Sequence, residues 1–261
     1  MSPITTVLTP QEGADAVTAM GIKKTGTPLY KTFLLGVMGG IFIAFGTMGL
    51  HVMTGIFSSD ALYAMGKFLG AAVFPTGLML VVLIGGELYT GNTLAGLAVL
   101  HRKVKPGRFG LNLMTVWLGN LCGSVFAAAV ALASGLYAVP AIAEAAVNLA
   151  NHKVHLNFSA SIASGFLCNM LVALAIWAAA SISDGVGKIM AIWFPIMLFI
   201  ACGFQHVVAN MYIFSVGFYL NAGFGLGEAF TALLAATIGN TLSGALFLPV
   251  MYYLLFQKKE G

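Results

Sequence analysis

The sequence predicts an all-α membrane protein in which six transmembrane helices form two inverted three-span halves, with helices 2 and 5 interrupted. Three observations predict this class. First, the 261 residues are 59% hydrophobic and only 8% charged, with a mean hydropathy of +0.95. Soluble domains carry about 25% charged residues. Stretches 32–59, 68–86, 109–143, 154–183 and 189–227 contain no charged residue, which supplies the ~20 residues that a bilayer crossing needs. Second, ten of the twelve Lys and Arg residues fall on one side of the resulting topology. Third, polar residues cut two of the apolar stretches at equivalent points.

The first 31 residues are polar and lack the basic start and short apolar run of a cleaved signal, so they read as a cytoplasmic N-terminal segment and the first span as a retained anchor. Within them, Ala14, Val17 and Met20 oppose Glu12 and Asp15, which predicts a short interfacial or cytoplasmic helix over 10–20 with Thr9 as cap and Pro10 in its first turn. The spans follow at about Phe33–Phe57, from Lys67, at Leu111–Leu136, at Phe158–Ala180, from Lys188 and at Ala229–Phe256. They make one membrane domain over 1–261, with a first half at 33–137 and a second at 157–257.

Lys23, Lys24, Lys31, Arg102, Lys103, Lys105, Arg108, Lys188, Lys258 and Lys259 share the side of the termini, and Lys67 and Lys153 lie opposite. Because the loops are short, this bias places both termini in the cytoplasm of a multi-pass bacterial inner membrane protein.

The second span is cut by Gly85, Gly86, Glu87, Thr90, Gly91, Asn92 and Thr93, and the fifth around Gly203, Gln205, His206 and Asn210. Irregular backbone at bilayer depth is tolerated where it lines a cavity or is buried in protein. The cuts are about 118 residues apart, and "WLGNLCG" and "TIGNTLSG" place Gly119-Asn120 and Gly239-Asn240 120 apart in the third and sixth spans. Two three-span halves with matching cuts are the trace of an inverted internal repeat.

Gly39, Gly40, Gly119, Gly123, Gly239 and Gly244 read as close-packing residues between helices. Cys122, Cys168 and Cys202 sit in apolar stretches without ligand spacing, so no metal or other cofactor is expected. The formal charge of +4 comes from residues that flank spans, which argues against a nucleic-acid partner and leaves membrane lipids as the surroundings.

His206 is the single imidazole inside a broken span, able to donate a hydrogen bond to an anion or exchange a proton with it. Lys153 on the sparsely charged side can concentrate anions at a mouth. Glu87 is costly to ionise without donors, so it reads as holding the broken segment or pairing with a cation, with a proton relay as the lesser alternative. Thr90, Asn92, Asn169 and Asn210 add neutral donors, and Phe74, Leu78, Leu88, Tyr89, Phe199 and Phe204 are candidates for apolar restrictions. No nucleophile triad or metal set points to an enzyme.

Six segments together resemble the formate/nitrite transporter family: "GGELYTGNTLA" at 85–95, "GN" at 119–120, "HKVHLNF" at 152–158, "LCNMLVALAIW" at 167–177, "GFQHVVANM" at 203–211 and "GNTLSGALF" at 239–247. The resemblance implies an aquaporin-like fold, a homopentamer with a pore in each protomer, and passage of small monovalent anions such as formate, nitrite or hydrosulfide, with or without protons. It places Thr90 on the broken helix and His206 at the central site, with Lys153 and Asn169 in the anion-attracting or pore-lining set. Phe74 and Phe199 match its outer constriction, and Leu78 and Leu88 its inner one. Two positions depart from it: Tyr89 stands where relatives often have Phe, and Gln205 where a Glu is common. Formate is the first expectation for the cargo, and a neutral-solute channel is the alternative from another class.

Overall fold

The computed structural model describes residues 7–256. Lys258 and Lys259, the end of the second half at 257 and the first six residues lie outside the described residues. Ten helices and a short 3-10 turn at Leu136–Ala138 make up the helical structure of the described residues. The helices are α1 (Pro10–Gly26), α2 (Leu29–Ile56), α3 (Tyr63–Gly85), α4 (89–100), α5 (Pro106–Ala133), α6 (Pro140–Val154), α7 (Phe158–Ala180), α8 (Gly185–Ala201), α9 (Val207–Tyr219) and α10 (Leu226–Phe256). Five of them, α2, α3, α5, α7 and α10, are long and apolar enough to cross a membrane; α8 and α9 are shorter apolar helices.

The N-terminal helix starts where its capping residues place it. Pro10 is its first residue, and Thr9 and Glu12 close a reciprocal capping box in which the Thr9 hydroxyl accepts from the Glu12 N–H. Hydrogen bonds from the Thr9 side chain and backbone hold the Glu12 carboxyl below its usual range. The helix runs on to Gly26, beyond residue 20, because Gly21 and Thr25 continue its buried face with Ala14 and Val17. It packs against α4 and α7.

A helix absent from the sequence reading, α6, occupies the segment before the fourth span. Pro140 opens it and His152 and Lys153 lie in its last turn, against the negative end of its dipole. Its 15 residues are too few to cross a bilayer, which is why hydropathy passes over it.

Two pairs of long helices pack alike. α2 lies along α5, and α7 lies along α10. A Cβ on Gly119 would stand 2.6 Å from the Phe33 carbonyl oxygen, and one on Gly239 would collide with the Ile162 carbonyl. Small residues at these crossings let the backbones approach, which is how helices associate where lipid removes the hydrophobic drive. Large apolar side chains such as Leu34, Phe45, Phe126, Phe194 and Leu246 point outward, leaving an apolar rim for lipid or neighbouring chains.

Candidate functional site

Two stretches of non-helical backbone face each other inside the bundle. A π-helical turn, Val81–Gly85, ends α3; Gly86 and Leu88 are extended, and helix resumes at Tyr89. Helix α8 ends at Ala201, His206 is extended, and α9 begins at Val207. Gly85 (φ 101°) and Gly203 (φ 72°) make the turns, in a region of backbone space that side chains disfavour.

Each stretch is held by an asparagine from the long helix of its own half. The Asn120 Oδ1 accepts from the Tyr89 N–H (2.9 Å), and its Nδ2 donates to the carbonyls of Gly36 (2.7 Å) and Glu87 (2.8 Å). The Asn240 Oδ1 accepts from the Val207 N–H (3.0 Å), and its Nδ2 donates to the carbonyls of Gly165 (2.7 Å) and Gln205 (2.9 Å). Backbone groups freed by breaking a helix are costly to bury unpaired, and these side chains satisfy them. The repeated Gly-Asn pair was the one signal for these residues in the sequence; read for packing through its glycines, it did not reveal the role of the asparagines.

His206, 2% exposed, closes the second stretch and reaches across to the helix that follows the first. Its Nδ1 accepts from the Ala209 N–H at 3.1 Å, and its Nε2 lies 3.0 Å from the Thr90 Oγ1. A backbone N–H can only donate, so Nδ1 is unprotonated and Nε2 carries the hydrogen that the Thr90 hydroxyl accepts. The Thr90 hydroxyl keeps its own proton to donate. Phe199 stacks on the imidazole with centroids 5.6 Å apart and meets Phe74 edge-on at 5.5 Å. A pocket of ≈170 Å³ is lined by His206 with Phe74, Leu78, Leu88 and Phe199, and by Ile43, Val172 and Ile196; it is too narrow for a water-sized sphere.

The other sequence-selected residues lie apart from this pocket. The Tyr89 hydroxyl bonds Thr241 at 2.7 Å. Asn169 donates to Thr93 Oγ1 (3.1 Å) and the Asn240 carbonyl (2.7 Å). Glu87 pairs with Lys24 at 2.7 Å, and Lys24 also donates to Asn92 Oδ1 at 3.0 Å. Lys153, 7% exposed, donates to the carbonyls of Phe204 (3.2 Å) and Gly203 (3.4 Å), and Gln205 Oε1 accepts from Asn210 Nδ2 at 2.7 Å. The Phe204 ring is partly buried against the core, away from the lining of the pocket. On the α1 side of Leu88 lies a second cavity, wide enough for water, with Lys23, Lys24 and Lys188 among its walls.

Two broken helical segments that meet at a narrow apolar pocket with one imidazole define a membrane channel or transporter for small solutes. A profile of the family described as formate/nitrite transporter matches residues 11–254, and the chain belongs to that family. It is 37% identical to an uncharacterized transporter, YrhG, of Bacillus subtilis, covering 96% of this chain and 94% of that protein. It is 35% identical to a probable formate transporter of Methanothermobacter thermautotrophicus, covering 96% and 97%. Among solved structures it superposes on a pentameric formate channel with formate bound at a TM-score of 0.74 and 29% identity, covering 88% of this chain and 98% of that one.

Proposed function

We propose that this chain passes small monovalent weak-acid anions across the bacterial inner membrane, formate first, through a pore inside each protomer of a homopentamer. Six spans result when α8 and α9 are counted as one span broken at 202–206, and the excess of basic residues near the termini supports a cytoplasmic location for both. The likeness to a pentameric channel with formate bound supports the cargo and the assembly.

His206 carries the reading. A full charge is expensive in an apolar passage, and His206 offers a polar contact without adding one. Its Nε2–H points to Thr90, so Thr90 donates outward to the anion, and the imidazole polarises that hydroxyl. Protonating Nδ1 would cost the bond from Ala209, so His206 works here as a neutral donor and a proton that crosses travels with the anion. Phe74 and Phe199 on one side and Leu78 and Leu88 on the other strip water from the anion.

Flux of formate, nitrite and hydrosulfide into proteoliposomes, each with and without an imposed proton gradient, tests the reading. Saturable uptake driven by the gradient identifies proton coupling, and flux that follows each anion's own gradient identifies a channel. Rapid swelling in polyol with no anion flux would replace the reading with a neutral-solute channel. Unchanged flux in H206N would remove the assigned role of the imidazole.

A further inference from the structure

The correspondence between the halves extends beyond the spans. An offset of 129 residues relates Leu29 to Phe158, where α2 and α7 begin, and Gly36 to Gly165; an offset of 118 relates Gly85 to Gly203, Glu87 to Gln205 and Asn92 to Asn210. The first offset also lays α1 over α6 and Lys24 over Lys153.

The structure gives both lysines the same kind of setting. Lys24 Nζ donates to Glu87 Oε2 at 2.7 Å and Asn92 Oδ1 at 3.0 Å. Lys153 Nζ donates to Gln205 Oε1 at 3.5 Å, an oxygen already taken by Asn210 Nδ2, and to the two carbonyls at 3.2 and 3.4 Å. The settings differ in charge. Lys24 has a carboxylate, whereas Lys153 has three neutral oxygens at long range and takes part in neither ion pair found among the described residues.

The chemistry of the neighbours orients the Gln205 amide. Lys153 can only donate, so the amide oxygen faces it and Asn210 must present its NH2 group to that same oxygen. This leaves the buried Gln205 Nε2 without a hydrogen-bond partner. A buried ammonium without a counter-charge beside an unused amide donor is an arrangement that a carboxylate completes.

We infer that Gln205 is a specificity-determining residue: its neutral amide leaves Lys153 uncompensated, so the Lys153 mouth of the pathway holds small carboxylates more tightly than the Lys24 mouth, where Glu87 cancels the charge. The inference rests on the anion-passage reading.

Formate uptake measured in right-side-out and inside-out vesicles from the same cells tests it, with wild type, Q205E and E87Q. In wild type the KM is lower from the Lys153 side by roughly three- to tenfold, as expected for one unscreened charge acting over several ångströms. Q205E raises KM on that side more than it lowers kcat and narrows the difference. E87Q exposes Lys24 and lowers KM on the opposite side, which keeps the test open should Q205E fail to fold. Equal KM from both sides in an active wild type, or a difference that survives both substitutions, overturns the inference and leaves the anion reading standing. No formate uptake by wild type from either side removes both.

Discussion

Asn120 and Asn240 perform the same task at opposite breaks. Each accepts from the first helical N–H after the break and donates to one carbonyl in the break and one on the packed neighbouring helix. Replacing either by Ala leaves a buried N–H and the carbonyl of the break without the amide that pairs them, at a cost of about 1–3 kcal/mol per group before relaxation. N120A and N240A are expected to lower the unfolding midpoint in detergent and to lose formate flux together. Asp substitutions, which keep the acceptor and lose the donors, should fall between Ala and wild type.

In the proposed function the Thr90 hydroxyl, 3.0 Å from His206 Nε2, passes that hydrogen bond on to cargo. T90V keeps the shape and removes the donor, and flux is expected to drop roughly 10- to 100-fold, the equivalent of a hydrogen bond to a charged group. T90S restores most of it. Stopped-flow uptake in vesicles reads both, and equal flux in T90V and wild type would remove Thr90 from the pathway.

Tyr89 offers a control. Its hydroxyl bonds Thr241, which also donates to the Thr237 carbonyl, so the ring is anchored away from the His206 pocket. Y89F is expected to cost about 1 kcal/mol of stability and to leave the formate-to-nitrite flux ratio unchanged. A changed ratio would put the hydroxyl on the pathway.

Phe199 closes the pocket against Phe74 and also stacks on His206. F199A removes both contacts, and lactate flux relative to formate is expected to rise roughly tenfold, the scale on which apolar walls discriminate by size. L88A tests the opposite wall without touching the imidazole stack.

The long apolar helices were legible because bilayer crossing imposes length and hydropathy on local sequence. Helix α6 was not, since its Ala-rich 15 residues carry no such signal. Lys24 read only as a topology charge, because its partner Glu87 is 63 residues away and meets it only after α1 docks. The asparagine braces were hidden for a similar reason. Repetition of Gly-Asn marks a shared place in two halves, but which backbone groups an amide satisfies depends on where the breaks fold back.

The attachment of α1 has a consequence for biosynthesis. Leu8 N–H donates to the Ser181 carbonyl at 2.8 Å and Val7 bridges Ile182, so the two residues are fastened to the turn between α7 and α8. The ribosome makes the one long before the other. The segment at residues 7 and 8 therefore stays unfastened until the fourth long helix has left the insertion machinery, and a chain stalled earlier offers that segment to quality-control proteases.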